Sequence, residues 1–145
     1  MSKYAQGKYQ VLNPQKYVGK GAPTYRSGWE HTFMRFCDNN PAILQWASEA
    51  VHINYRNPFT NKNTIYVPDF LVIYQDANGK QKAEIIEVKP KKETSLQEAG
   101  RSPRAQAAAI LNMAKWEAAK AWSKANGMGF RIVTEDQIFH QGKKR

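Results

Sequence analysis

The chain has 145 residues, of which 41% are hydrophobic, enough for one domain with a hydrophobic core and too many for a disordered chain. A single cysteine, Cys37, excludes a disulfide framework and is typical of a reducing compartment. No stretch approaches the roughly 20 apolar residues of a membrane span, and residues 1–9 lack the apolar centre of a signal peptide. We therefore expect a soluble, unexported protein without a membrane partner.

Charge is unevenly distributed along the chain. Lys and Arg number 22 against 12 Asp and Glu, a formal net charge of +10. Residues 1–28 hold five basic and no acidic residues, residues 29–100 eight basic and nine acidic, and residues 101–145 nine basic and three acidic. Basic surfaces bind polyanions through counterion release, and nucleic acid is the commonest such partner. A high pI can also serve solubility alone, so charge by itself leaves both interpretations open.

The first part of the chain predicts a lead-in followed by a helix. Residues 1–26 have no clear period and suggest an extended arm or a loosely packed segment. Ser27 and Glu30 match a helix capping box. Aromatic residues then recur at helical spacing, which predicts an amphipathic helix over 28–38 that ends before Pro41.

Three strands are predicted next. Residues 48–56 mix apolar and polar residues, and residues 64–75 form a nearly continuous apolar run typical of a strand buried on both faces. Pro68 interrupts that run and indicates a bulge or an edge. The Asn78-Gly79 pair predicts a tight hairpin that leads into a returning strand over 82–89.

The last third of the chain predicts a loop, a helix and a strand. Residues 91–101 are polar and charged, as in a mobile loop. Ser102-Pro103 is typical of a helix start, and this helix is expected to reach about Asn126 before Gly127 ends it. A strand over 130–134 and a basic tail over 140–145 follow.

The predicted order is helix, three strands, helix, strand (α-β-β-β-α-β). Because the last strand follows a crossover helix, it can pair in parallel with an earlier one. The sequence therefore predicts one α/β domain over residues 1–145, a mixed β-sheet flanked by helices.

Three ionisable residues are expected to meet on this sheet. Asp69 and Glu87 stand on neighbouring strands, which lie about 4.8 Å apart, so their carboxylates can converge. Glu87 and Lys89 are two residues apart and share a face, whereas Ile86 and Val88 point into the core. Asp69 can instead be a turn residue after Pro68, and Glu87 with Lys89 an ordinary ion pair.

The trio suits phosphodiester hydrolysis. Mg²⁺ prefers oxygen ligands and usually takes only one or two carboxylates, which Asp69 and Glu87 can supply. A bound metal ion activates water and offsets charge on the phosphate, and Lys89 can orient the attacking water. Mn²⁺ is an alternative cofactor. His31, His52, His140 and Cys37 lack the spacing of zinc ligands, and no glycine-rich phosphate loop predicts a nucleotide cofactor.

The pattern Pro68-Asp69 followed by Glu87-Val88-Lys89 resembles the PD-(D/E)xK nuclease superfamily. That resemblance implies a restriction-endonuclease-like core with the same α-β-β-β-α-β order. It also implies that Glu30, on the first helix, completes the metal site together with the main-chain carbonyl of Val88. Glu30 has the competing role of capping the helix. Glu49 competes for the acidic position, but its strand-like surroundings suggest a peripheral place.

The chain as a whole resembles the head completion nucleases of T-even-type tailed phages. The residues that carry this resemblance are Tyr4-Ala5-Gln6-Gly7, 11–19, 25–30, Phe33-Met34-Arg35-Phe36-Cys37-Asp38 and Gln45-Trp46-Ala47-Ser48-Glu49. The resemblance implies a metal-dependent DNA endonuclease acting in head completion after DNA packaging. It also implies head, portal or neck proteins as partners, and a place in the host cytoplasm or on the virion.

Four basic residues flank the predicted site and are candidates for binding DNA phosphates, with a solvated loop as their alternative role: Lys91, Lys92, Arg101 and Arg104. Two rival functions stay open. One is a DNA-binding or structural head-completion adaptor on a nuclease fold, which would not need the four acidic and basic motif residues. The other is a different nuclease of the superfamily, such as a junction resolvase.

Overall fold

The computed structural model describes residues 6–137. Its elements, in chain order, are β1 (Gly7–Lys8), β2 (Thr24–Tyr25), α1 (Gly28–Asn39), β3 (Ile43–Ser48), β4 (Ile53–Arg56), β5 (Asn63–Tyr66), β6 (Phe70–Gln75), β7 (Gln81–Val88), a 3₁₀ turn (Lys91–Glu93), α2 (Leu96–Ala99), α3 (Pro103–Ala125) and β8 (Gly129–Val133). The predicted tail over 140–145 lies outside the described residues.

A four-stranded mixed sheet forms the centre of the fold. Its strand order is β3-β6-β7-β8, with β6 antiparallel to both of its neighbours and β8 parallel to β7. The elements α1, β3, β6, β7, α3 and β8 therefore follow the α-β-β-β-α-β order that the sequence predicted. The mixed α/β fold and the parallel last strand are confirmed.

Helices cover both faces of the sheet, and each interface has its own hydrophobic core. The core beneath α1 includes Phe33, Met34, Trp46, Phe70 and Ile86. The core beneath α3 includes Ile53, Tyr55, Tyr66, Trp116 and Ala119. Since β6 and β7 lie in the middle of the sheet, the ends of these two strands are supported from both sides.

The predicted helix starts and stops are confirmed. Ser27 Oγ accepts the Glu30 N–H at 3.1 Å, and Ser102 Oγ accepts the Ala105 N–H at 3.2 Å. Each contact satisfies a backbone donor that the helix itself leaves unpaired. Gly127 follows the end of α3 with φ +72°, a conformation that glycine adopts without steric cost.

The strand predicted over 48–56 is wrong. The first strand of the sheet is β3, over Ile43–Ser48, and it ends just before Glu49, whose φ is +52°. A break separates it from β4, which begins at Ile53. The sequence correctly predicts the end of α1 before Pro41, but it does not predict the strand that begins at Ile43.

The single buried strand predicted over 64–75 is also wrong. It is two strands in two sheets, because β5 pairs only with β4 whereas β6 belongs to the central sheet. Pro68 lies between them, and its missing N–H suits a place where strand pairing changes. Three of the four residues of β5 are exposed, so only β6 has the burial that the apolar run indicated.

The mobile loop predicted over 91–101 is ordered. It contains the 3₁₀ turn and α2, and Ser95 Oγ caps α2 by accepting the Glu98 N–H at 3.1 Å. Asn112 of α3 donates its side-chain amide to the Glu93 carbonyl at 3.1 Å. This segment is therefore tied to α3 rather than free.

Residues 6–26 have little regular structure, but they are held against α1 and are not loosely packed. Buried Asp38 accepts the Tyr9 hydroxyl at 2.6 Å, the Leu12 N–H at 2.7 Å and the Asn13 N–H at 3.0 Å. One carboxylate thus fixes the path of the segment. Within residues 6–137, no helix is both long and apolar enough to cross a membrane.

Candidate active site

Asp69 and Glu87 lie face to face at one end of the central sheet. The β6–β7 register pairs Phe70 with Ile86, so Asp69, one residue before β6, stands opposite Glu87. The Asp69 N–H donates to Glu87 Oε1 at 3.3 Å, and the Val88 N–H donates to Asp69 Oδ2 at 2.8 Å. The structure therefore brings the two predicted carboxylates together.

Glu87 is buried between a phenol and an ammonium group. Its residue surface is 4% exposed. The Tyr66 hydroxyl donates to Oε1 at 2.7 Å, and Lys89 Nζ lies 3.6 Å from Oε2. The side chain of Lys89 is 28% exposed, so one end of this group of residues opens to solvent.

Excess negative charge characterises the site. Burial, then the nearby Glu87 and Glu30, raise the pKa of Asp69 well above its ordinary value. Burial also raises the pKa of Glu87, although Lys89 and the Tyr66 hydroxyl oppose the shift. Buried like charges are unfavourable without a compensating cation. The site therefore suits a positively charged ligand.

Lys89 keeps its proton in this setting. Burial alone would lower its pKa, but Glu87 and Asp69 outweigh burial, and the pKa is raised on balance. An ammonium group that is held beside two carboxylates and reaches the surface can donate hydrogen bonds to an anionic substrate.

Glu30 both caps α1 and stands near the carboxylates. Its Oε1 accepts the Arg26 N–H at 3.1 Å, one residue before the position expected of a capping box. Burial first, and the negative charge of Glu87 among further causes, raise its pKa. The charge of Glu87 therefore acts on Glu30, while the Glu30 carboxylate accepts a hydrogen bond at the start of its own helix.

The donor set fits a hard divalent cation. Asp69 and Glu87 offer carboxylate oxygens, and oxygen ligands favour Mg²⁺ or Mn²⁺. Across residues 6–137, no three His, Cys, Asp or Glu side chains converge as a ready-made metal site. Mg²⁺ keeps several waters and usually needs only one or two carboxylates, so a pair of carboxylates can be enough for such an ion.

Glu49 is close to the site, not peripheral as the sequence suggested. It directly follows β3, and its N–H donates to the Asp69 carbonyl at 2.9 Å. Its carboxylate is paired with Arg26, whose Nε lies 3.0 Å from Oε2. The main chain of Glu49 supports Asp69, while Arg26 offsets the charge of its side chain.

Sequence reasoning missed Tyr66 and Lys115. Lys115 Nζ lies 5.6 Å from the centre of the Tyr66 ring, beneath α3. Burial, and then Lys89, lower the pKa of Lys115, and Lys115 in turn favours the charged form of Glu87. A signal was available, since Lys115 shares the buried face of α3 with Ala119 and Trp122 at helical spacing.

The four candidate phosphate-binding residues follow the site along the chain. Lys92, Arg101 and Arg104 are exposed. Lys91 is exposed too, but its Nζ lies 3.4 Å from Asp136 Oδ2, and its N–H donates to Glu135 at 2.8 Å. Three of the four therefore present their charge to solvent, and Lys91 shares its charge with an acidic neighbour.

Comparisons with known proteins identify the family of this chain. The family model for the TnsA-like endonuclease N-terminal domain matches residues 40–135, a range that holds Asp69, Glu87 and Lys89 but not α1. A head completion nuclease of Enterobacteria phage T4 is 34% identical over 148 residues, covering 95% of this chain and 96% of that protein. No solved structure matches the chain. The chain therefore belongs to the TnsA-like endonuclease family, as the nuclease motif indicated, and is similar over nearly its whole length to a phage head completion nuclease.

Proposed function

We propose that this protein is a Mg²⁺-dependent DNA endonuclease that hydrolyses phosphodiester bonds. The observation that carries the proposal is the pair of half-buried Asp69 and buried Glu87, joined through main-chain N–H groups at 3.3 and 2.8 Å, with Lys89 beside it. Membership of an endonuclease family supports the same conclusion. A structural protein would have no need for two adjacent carboxylates that repel each other.

Asp69 and Glu87 would hold the metal ion, with the Val88 carbonyl as a main-chain ligand and Glu30 adding negative charge nearby. Mn²⁺ shares the preference for oxygen ligands and is the expected substitute. When bound there, such an ion lowers the pKa of a water molecule and stabilises the charge that develops on the phosphate.

The other residues of the site position the attacking water and Glu87, and they neutralise the charge of the phosphates. Lys89 stays protonated and donates hydrogen bonds to the attacking water or to a phosphate oxygen. Tyr66 fixes the orientation of Glu87 through its 2.7 Å hydrogen bond. Lys115 adds a second cation beneath the carboxylates, and the exposed Lys92, Arg101 and Arg104 bind the phosphates on either side of the cleaved bond.

The similar phage protein suggests the biological role. The matching phage protein is called a head completion nuclease, and we propose the same role here. This role implies packaged DNA as the substrate and the head, portal or neck of the virion as the assembly partner. It also implies action in the host cytoplasm or on the virion.

Plasmid cleavage tests the proposal. Supercoiled and linear DNA are incubated at low salt with Mg²⁺ or with EDTA, using the wild type, Asp69→Asn and Lys89→Ala. Low salt matters because binding to phosphates weakens steeply as salt rises. Glu117→Gln, which changes an exposed carboxylate on α3, is the matched control.

We expect cleavage with Mg²⁺ by the wild type and by the control, and none with EDTA. Asp69→Asn should lose about 10³-fold in rate, because a metal ion contributes several kcal/mol to such a reaction. Lys89→Ala should lose about 10²-fold. Full cleavage by either variant would contradict the site assignment, and DNA binding without cleavage by any form would favour the adaptor.

A further inference from the structure

Strands β4 and β5 form a separate two-stranded ribbon, defined here as residues 53–66. The strands pair antiparallel with each other, with Ile53 opposite Tyr66 and Arg56 opposite Asn63. They are not part of the central sheet. The ribbon is thus an addition to the α-β-β-β-α-β core, placed between β3 and β6.

The inner face of the ribbon packs against α3 and contacts Glu87 of the candidate active site. Ile53, Tyr55 and Tyr66 are buried in one hydrophobic cluster with Trp116 of α3. Tyr66 also donates its hydroxyl to Glu87. The base of the ribbon is therefore fixed next to the carboxylate pair, and its position relative to the site is set by packing.

The outer face carries the kinds of side chain that recognise bases. Asn54 lies opposite Ile65 and Arg56 opposite Asn63, and all four are exposed, with Ile65 at 53%. Asparagine and arginine make paired hydrogen bonds to purine edges, and apolar side chains contact the thymine methyl group. On β4 these groups alternate with buried Ile53 and Tyr55, as the twofold period of a strand requires, whereas on β5 only Tyr66 is buried.

The tip of the ribbon is held by its own hydrogen bonds. Asn57 Oδ1 accepts the Phe59 N–H at 2.8 Å and the Thr60 N–H at 3.2 Å. Arg56 Nη1 donates to Asn61 Oδ1 at 3.0 Å. This ordered turn leaves Phe59 58% exposed. An ordered tip loses little conformational entropy on binding.

The charged residues in and around the ribbon indicate which class of partner it binds. The central block of residues 29–100 contains nine acidic residues, yet none of them falls within 50–68. The same stretch contains His52, Arg56 and Lys62. A surface that combines basic groups, amides and one exposed aromatic ring without any carboxylate complements a polyanion with stacked bases.

We propose that the β4–β5 ribbon enters a groove of duplex DNA, with its outer face against the base edges and Phe59 at the leading tip. The major groove admits a two-stranded ribbon. A strand rises about 3.4 Å per residue, so Asn63 lies about 10 Å from Tyr66 along β5. The ribbon would therefore contact bases within a few base pairs of the phosphate at Asp69 and Glu87. The inference rests on the proposed function and adds the element that engages the duplex.

Equilibrium binding tests the ribbon apart from catalysis. The full chain carrying Asp69→Asn is titrated against a labelled duplex and against the same sequence as a single strand. The ribbon variant adds Asn54→Ala, Arg56→Ala and Asn63→Ala. The matched control adds Asn78→Ala, Lys80→Ala and Gln81→Ala, which removes two amides and one cation from an exposed turn at the far end of β6.

We expect the ribbon variant to bind duplex about tenfold more weakly, because at least one paired base contact is lost. The control should change binding by less than about twofold, which is the effect of one distant charge. Equal losses for the two variants, or an equal loss on duplex and single strand, would overturn the groove assignment. Thermal melting shows whether each variant is folded.

A second variant keeps the test valid if the triple substitution unfolds the protein. Phe59→Ala removes an exposed ring without changing charge and should weaken duplex binding about fivefold, the effect of one lost contact to a base. Unchanged binding by this variant would overturn the tip assignment. Cleavage by the wild type together with full binding by the ribbon variants would refute only the inference. Ribbon-dependent binding without cleavage would refute only the proposed function.

Discussion

Two aspartates in this protein have opposite electrostatic surroundings. Asp38, near the end of α1, is 1% exposed, and its pKa is lowered. Asp69, before β6, has a pKa raised well above its ordinary value. Asp69 is half-buried, and burial raises the pKa of both carboxyl groups, so burial alone does not explain the opposite shifts. The difference lies in what each carboxylate faces.

Asp38 faces hydrogen-bond donors. Burial would raise its pKa, but the Tyr9 hydroxyl and the Leu12 and Asn13 N–H groups donate to it and bring the pKa down. Asp69 faces the negative charges of Glu87 and Glu30 instead. Among the described residues, its carboxylate accepts one hydrogen bond, from the Val88 N–H. A satisfied buried carboxylate stabilises a fold, whereas a repelled one marks a functional site.

The largest expected effect is on catalysis. Glu87→Gln should reduce DNA cleavage with Mg²⁺ by about 10³-fold, because the neutral amide neither binds the ion as well nor provides charge. Its melting temperature should stay near that of the wild type, since the variant removes repulsion. Cleavage rates and melting curves measured on one preparation check both. A folded Glu87→Gln protein that cleaves normally would remove Glu87 from the site.

The next effect is on stability. Asp38→Ala should lower the free energy of unfolding by about 3 kcal/mol, because the buried donors of Tyr9, Leu12 and Asn13 lose their acceptor. Urea unfolding measures this loss. The fraction of protein that stays folded should cleave DNA at the normal rate. A loss of less than about 1 kcal/mol would mean that Asp38 is not the anchor of residues 6–26.

The contributions of the two aspartates to the free energy of unfolding should change with pH in opposite directions. In EDTA, the folded state binds protons more tightly at Asp69, Glu87 and Glu30 than the unfolded state does. Their contribution to stability is therefore present below the ordinary carboxyl pKa and is lost as pH rises through the raised pKa values. Asp38 contributes above its ordinary pKa, and that contribution is lost as pH falls through its lowered pKa.

Asp69→Asn isolates the first of these effects. Its free energy of unfolding should exceed that of the wild type by on the order of 1 kcal/mol at neutral pH, the size of an ordinary charge repulsion. The difference should shrink as the pH falls, because the wild-type carboxyls then become protonated. Urea unfolding in EDTA from about pH 5 to pH 8 measures it. A difference that grows toward low pH would contradict the raised pKa of Asp69.

The smallest expected effect concerns the exposed arginines after the site. Arg101→Ala with Arg104→Ala should weaken DNA binding uniformly across sequences and reduce the dependence of log K on log salt by about two. Salt titrations of the Asp69→Asn background measure the slope. An unchanged slope would mean that these side chains are solvated and do not contact phosphate.

Local signals explain why much of the fold was predictable. The caps at Ser27 and Ser102 and the turn at Asn78-Gly79 each fix the backbone through neighbouring atoms, and all three appear where expected. The hairpin between β6 and β7 is enough to predict that Asp69 and Glu87 lie opposite each other. These features need no information from distant parts of the chain.

The missed features depend on distant contacts. The apolar run over 64–75 has no local mark that assigns β5 and β6 to different sheets, apart from Pro68. Tyr66 donates to Glu87, and Lys115 lowers the Glu87 pKa, because the ribbon and α3 pack together. Helical spacing indicates that Lys115 is on the buried face of α3, but not that this face adjoins Glu87. The same holds for Asp38, whose partners lie more than 20 residues away along the chain.

The central claim is that the Asp69–Glu87 pair binds a divalent cation. The most direct measurement is the shift in melting temperature on adding Mg²⁺ to the metal-free wild type, to Asp69→Asn and to the Glu117→Gln control. A ligand that binds only the folded state raises its stability, so the wild type and the control should melt at a higher temperature with Mg²⁺, and Asp69→Asn should not. Equal shifts for all three proteins would place the cation elsewhere and contradict the account.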